Sequence, residues 1–201
     1  MSDFNPPAPT TIRKTPIKIG GVVDLQHEDS GREGFISVTQ CWYRVGGDLN
    51  REIVVPTLAA SPIGHEILSS NSSVKSGELL RSGTEIHVRS VSQNPAWPAY
   101  KVWKYLSGWW GDGNASYCSL NDPKSAKNAV WIIEKINQNG SISGPGEAIN
   151  SGDKVRLKSK SRNAWLVNSA DKHVGEHHAN ILKDTSDPKR YTWVIWSQGA
   201  S

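Results

Sequence analysis

Apolar and polar residues alternate with a period of two in short runs along most of the chain. Val22-Val23-Asp24-Leu25, Phe35-Ile36-Ser37-Val38, Glu85-Ile86-His87-Val88, Val130-Trp131-Ile132-Ile133, Val155-Arg156-Leu157 and Trp193-Val194-Ile195-Trp196 are such runs. Gly, Ser, Asn, Asp and Pro separate them. A period of two sends successive side chains to opposite faces, which is the signature of a half-buried strand. No segment sustains a 3.6-residue apolar period, so the pattern predicts an all-β domain of many short strands. Residues 1–16 contain Pro6, Pro7, Pro9 and Pro16 and little apolar content. Residues 1–17 are therefore expected to be a flexible Pro-rich tail, and 18–201 a single domain.

The chain repeats itself. Gly20-Gly21-Val22-Val23-Asp24-Leu25-Gln26-His27, Gly83-Thr84-Glu85-Ile86-His87-Val88-Arg89-Ser90 and Gly152-Asp153-Lys154-Val155-Arg156-Leu157-Lys158-Ser159 share one layout. In each, a glycine precedes an apolar-x-apolar strand. Val23, Ile86 and Val155 align without gaps, as do Leu25, Val88 and Leu157. The ends of the last two units also match. Asp122-Pro123-Lys124 leads to Val130-Trp131-Ile132-Ile133, and Asp187-Pro188-Lys189 leads to Tyr191-Thr192-Trp193-Val194-Ile195. The first unit is degenerate there and ends near Gly64-His65-Glu66-Ile67-Leu68. Units of about 60–70 residues, at about 18–80, 81–147 and 148–198, argue a threefold all-β fold, because one such unit cannot bury its own apolar face.

Ser151–Ser159, with its Ser-Gly-Asp-x-Val-x-Leu-x-Ser spacing, the turn Ser161-Arg162-Asn163, the pair Trp165-Leu166 and the terminal Trp193-x-Ile195 together resemble a β-trefoil unit. The closest flavour is that of MIR-type and fascin-like trefoils, over about residues 18–198. The resemblance implies a β-trefoil with three pseudo-repeats and long loops, the longest near Asn94–Asn121. Ricin-type lectin repeats end in Gln-x-Trp. The triplet occurs only as Gln40-Cys41-Trp42, inside the first unit, which argues against that subfamily.

Composition narrows the function classes. Of 201 residues, 36% are hydrophobic, yet nine Trp and five Tyr supply large apolar area, so the chain is long enough and aromatic enough to build a core. No apolar run approaches the length of a transmembrane helix. The N-terminal residues lack the charged and apolar regions of a secretory signal, so a cytoplasmic location is expected, with secretion by a route without a signal left open. The net charge of +4 is mild and the cations are scattered, against the basic stripe of a nucleic-acid binder. The densest run, Lys154 to Arg162, alternates, and reads as the solvated face of a strand. Two cysteines, Cys41 and Cys118, make no disulfide framework or metal knuckle. Both are expected to be buried thiols.

Candidate binding residues lie in loops. The stretch from Trp97 to Trp110 holds four Trp and two Tyr. Trp109 and Trp110 are flanked by Gly108 and Gly111, with Asp112 and Asn114 following. A sugar site needs an aromatic face for C–H stacking and short polar groups for hydroxyls, which this loop could supply. On a helix, His173 and His177 would share a face and could bind a metal; Gly175 and polar neighbours point to a loop instead, where a solvated loop or a polar ligand contact by these residues and His178 is the better reading. These three histidines and Trp165 are the next candidates. His27, His65 and His87 are isolated and read as satisfied side chains. No nucleophile–base motif, phosphate-cradling loop or calcium loop is present. Neither a cofactor nor a metal is implied.

The β-trefoil resemblance, with the aromatic loop, implies a non-enzymatic carbohydrate-binding module that recognises a glycan or glycoprotein. The alternative is a protein-interaction module such as a trefoil inhibitor, a cytoskeletal domain or a toxin-associated domain. Oligomeric state is left open, a homodimer included.

Overall fold

The computed structural model describes residues 14–29, 34–45, 48–92, 104–108, 115–173, 176–183 and 186–198. The first unit supplies β1 (Val22–His27), β2 (Phe35–Val45), β3 (Asp48–Ala59) and β4 (His65–Ser69). The second supplies β5 (Thr84–Ser90), β6 (Tyr105–Gly108), β7 (Ala115–Cys118) and β8 (Trp131–Ile136). The third supplies β9 (Asp153–Ser159), β10 (Ala164–His173), β11 (Glu176–Leu182) and β12 (Trp193–Ser197). Helix α1 (Pro123–Asn128) and a 3₁₀ turn at Pro188–Tyr191 are small additions.

The outer strands of the units close into a six-stranded antiparallel barrel. Its order around the wall is β1, β4, β5, β8, β9, β12 and back to β1. Closure leaves no open edge in the wall. The inner strands of each unit pair as hairpins: β2 with β3, β6 with β7, and β10 with β11.

The sequence repeats fall at equivalent places. Val23 lies opposite His65, Ile86 opposite Trp131, and Val155 opposite Trp193, and all six are fully buried. Gly20, Gly83 and Gly152 have φ of +82°, +85° and +83°. Their amides donate to the carbonyls of Ile67, Ile133 and Ile195 at 2.6, 2.7 and 2.7 Å. A side chain with a Cβ rarely adopts this φ, so glycine marks each strand start. Asn163 is the one non-glycine residue with positive φ among those described, at the turn expected around Ser161–Asn163.

One end of the barrel closes on a cyclic set of backbone bonds. Ile17 N–H donates to Ile149 O at 3.0 Å, Ile149 N–H to Leu80 O at 2.9 Å, and Leu80 N–H to Ile17 O at 2.8 Å. All three side chains belong to the core. Pro16 also bridges Asn150, and Lys14 pairs with the buried Asp153. The first described residues, from Lys14, are thus already packed against the barrel. The expectation of a tail to residue 17 overlooked that Ile17 is one third of this closure.

The core continues through Leu25, Val88 and Leu157 to Trp131 and Trp193. Charged Lys154, Arg156 and Lys158 face outward from β9 while Val155 and Leu157 face inward, as the alternation predicts. The expected strand at Lys101–Tyr105 is seen only from Tyr105, where β6 begins; Lys101, Val102 and Trp103 lie outside the described residues.

Candidate functional site

The outward face of β9 meets two neighbours. On one side β8 brings Glu134 opposite Arg156. On the other, β10 brings Trp165 opposite Lys158. Arg156 Nε donates to Glu134 Oε2 at 2.6 Å. The guanidinium carbon stands 4.0 Å from the Trp165 ring centroid, and Lys158 Nζ stands 5.2 Å from it. Glu134 thus aims the guanidinium while the indole supports it, a cation–π contact of about 0.5–2 kcal/mol. Tyr191 extends the ladder, its ring 5.8 Å from that of Trp165 and inclined at 30°. The 3₁₀ turn holds Tyr191 in place. Asp187 Oδ1 accepts from Lys189 N–H at 3.0 Å at the start, and Thr192 Oγ1 donates to Pro188 O at 2.8 Å at the end.

A cleft of about 370 Å³ opens beside the ladder. Tyr191 and Arg156 form one wall, Glu28, Lys154 and Lys189 contribute charge, and the turn from Asn137 to Ser141 forms a polar rim. That rim is tied together. Ser143 Oγ donates to Asn137 Oδ1 at 2.6 Å, Asn137 Nδ2 to Ser141 Oγ at 3.0 Å, and Ser141 Oγ to Asn139 Oδ1 at 2.6 Å. Lys154 pairs with Glu28, so much of the charge is compensated. Amide, hydroxyl, ammonium, carboxylate and guanidinium groups therefore line the cleft together with the Tyr191 side chain. Among the described lining residues there is no histidine or cysteine.

A second cavity of about 290 Å³ lies across Lys189, lined by His27, Asp29, Asn168, Ser169, Asp187 and Arg190. His27 meets the Trp193 ring edge-on at 5.2 Å. Burial lowers its pKa, against backbone bonds to residues 189 and 190 that raise it.

The structure distributes the expected site residues unevenly. Trp109, Trp110, Asp112 and Asn114 lie outside the described residues. His173, His177 and His178 sit in strands, not in a loop: His173 pairs with Glu176, Lys172 with His177, and His178 with Thr57 of β3. Antiparallel pairing claims their backbone despite Gly175 and the polar composition. Trp165 does not itself line the cleft, but its ring contacts Arg156 and Tyr191, which do. Sequence reasoning missed Arg156, Glu134 and Tyr191. The alternation from Lys154 placed Arg156 on the outer face, but only cross-strand register joins it to Glu134 and Trp165.

Among the described residues, no group of His, Cys, Asp and Glu could hold a metal ion, and no helix is long and apolar enough to cross a membrane. Cys118 is a buried free thiol whose pKa burial pushes up to about 11.

Fold and site define an all-β barrel protein with three hairpin-bearing units and a polar, aromatic-walled cleft. No family model matches the chain, and no curated protein sequence matches it. Solved structures share the fold. A Caenorhabditis elegans protein of unknown function is 11% identical, with a TM-score of 0.65 over 92% of this chain and 97% of that one. The SDF2-like protein from Arabidopsis thaliana is 16% identical, with a TM-score of 0.65 over 90% of this chain and 94% of that one. The S. cerevisiae protein O-mannosyltransferase Pmt1-Pmt2 complex bound to the sugar donor aligns at 15% identity and a TM-score of 0.66. There, 94% of this chain corresponds to 26% of that one. At these identities the likeness is one of fold.

Proposed function

We propose that the chain is a β-trefoil of the MIR-like type acting as a non-enzymatic, lectin-like module that binds carbohydrate in the cleft walled by Tyr191 and Arg156. The carrying observation is the joint orientation of these two groups by Trp165 and Glu134 beside a rim of linked Asn and Ser side chains. A pyranose presents a C–H face and a girdle of hydroxyls. The Tyr191 ring suits the first, and the rim, with Lys189 and Glu28, suits the second. Two of the cleft's cations already face carboxylates, Lys154 with Glu28 and Arg156 with Glu134, which favours a largely neutral ligand. The fold is shared with part of a complex bound to a sugar donor, which is compatible with this reading but carries no residue-level weight.

A protein-interaction module is the second reading. The ion pairs Lys154–Glu28 and Arg156–Glu134 favour it, because such charges suit complementary contacts around an interface core. A glycan array probed with the full chain separates the two. Binding to defined glycans, weakened at least tenfold by Tyr191→Ala and Arg156→Ala in calorimetry at an unchanged fold, supports the lectin reading. A blank array, or variants that bind like the wild type, would overturn it.

A further inference from the structure

We propose that the outer barrel wall at β1 and β12 carries a second site, separate from the cleft, where an uncharged pyranose ring stacks on Trp196. Among the described residues only three large hydrophobic side chains are exposed, Leu79, Val91 and Trp196. Trp196 is 41% exposed, an unusual position for the largest apolar side chain.

Its ring is nonetheless fixed. The indole N–H donates to Gln26 Oε1 at 2.8 Å. The six-membered ring lies against Gly152, where a Cβ would stand 3.4 Å from Cζ3 and where φ is +83°. One edge is thus tied and one part of the ring is supported, while a large area stays open to solvent. Stacking on such a ring requires little further ordering of the indole.

Polar groups suited to hydroxyls stand next to it. Asp24 lies directly across from Trp196 in the antiparallel register. Its Oδ1 accepts from Gln198 Nε2 at 2.6 Å, and the Gly64 amide also donates to the carboxylate. A carboxylate has about four acceptor positions, so these two bonds orient Asp24 without exhausting it. Gln198 keeps a carbonyl and a second N–H. Gly64, at φ +70°, lets the patch close up: a Cβ there would fall 2.8 Å from Val91 Cγ2 and 3.1 Å from Gln198 Oε1. Burial raises the pKa of Asp24, with the Gln198 and Gly64 bonds opposing it. A single exposed indole is far smaller than the 1,200–2,000 Å² or so that a stable protein interface buries. It matches the face of one sugar ring. The site stands at the far end of β12 from Thr192, which lines the cleft.

The test uses the full ¹⁵N-labelled chain, whose nine indole N–H signals can be followed individually. Trp196→Phe identifies the Trp196 signal by its loss. Methyl pyranosides of glucose, mannose, galactose and N-acetylglucosamine are titrated to about 50 mM, above the millimolar affinity of a weak single-ring contact. At least one should shift the Trp196 signal saturably. Asp24→Asn should weaken that response about tenfold, and Tyr191→Ala should leave it unchanged, even if the cleft reading fails. For a readout without the indole, made in the Tyr191→Ala background so that the cleft contributes little, saturation transfer to the same pyranoside should vanish on adding Trp196→Ala and persist more weakly on adding Trp196→Phe. No shift with any pyranoside, saturation transfer undiminished by Trp196→Ala in that background, or a shift with tetramethylammonium in place of the sugars would overturn the proposal. So would loss of the Trp196 response in Tyr191→Ala.

Discussion

Trp131 and Trp193 make the same bond in successive units. The Trp131 indole N–H donates to Leu106 O at 2.8 Å, and that of Trp193 to Leu166 O at 3.0 Å. Each joins a barrel strand to the first strand of its own unit's hairpin. In the first unit the matching position is His65, which instead meets Tyr117 Oη of the second unit at 2.7 Å.

Trp193→Ala is expected to cost about 3–5 kcal/mol, as for large aromatic truncations in cores, because the ring is fully buried. Trp193→Phe keeps much of the volume but strands the Leu166 carbonyl, and should cost about 1–3 kcal/mol. Denaturant melts measure both; a loss below about 1 kcal/mol for the alanine variant would contradict the packing.

Ile17→Ala should destabilise the protein by about 2–5 kcal/mol, although the sequence around Ile17 reads as tail. Its side chain is 2% exposed and its backbone completes the cyclic bonds with Leu80 and Ile149. A thermal or urea transition like the wild type's would show that the barrel end closes without it.

Stability should fall with acidity between pH 7 and pH 4. Burial lowers the His65 pKa to about 3. Below about pH 6.5 the unfolded chain takes up a proton that the folded chain refuses, so unfolding is favoured as pH drops, by about 2 kcal/mol from pH 7 to pH 5. His27, also lowered by burial, acts in the same direction. The double variant His65→Leu/Tyr117→Phe removes the titrating group without stranding the phenol on His65. Its urea midpoint should depend less steeply on pH over this range; an unchanged slope would remove His65 as the cause.

Cys118 should resist thiol reagents until the chain unfolds. With its pKa pushed up to about 11, its thiolate fraction at pH 8 is about two orders of magnitude below that of an ordinary thiol. A Cys41→Ser variant isolates it. Slow reaction in buffer and rapid reaction in denaturant are expected, and prompt native labelling would contradict its burial.

The repeats made much of the barrel readable in advance. Glycine before an apolar-x-apolar strand recurs because each strand start needs a positive φ and each strand needs alternate side chains in the core. Both constraints act locally, so they mark the sequence. Trp131 and Trp193 were legible for the same reason, but His65 was not, because a polar residue at a core position has meaning only beside Tyr117.

The site followed another logic. Composition drew attention to Trp109, Trp110, Asp112 and Asn114, which lie outside the described residues, and to Trp165, whose ring contacts Arg156 and Tyr191 of the cleft. Arg156, Glu134 and Tyr191 carry no local signal, since a cation, an anion and a ring in three separate elements become a site only when register and the 3₁₀ turn set them side by side. Trp196 and Asp24 are 172 residues apart in sequence and face each other solely because β12 closes on β1. Periodicity by itself determined which side chains face inward and how often the unit recurs. Tertiary structure alone decided which outward side chains meet, because cross-strand contacts depend on how the strands close, and strand periodicity does not encode that.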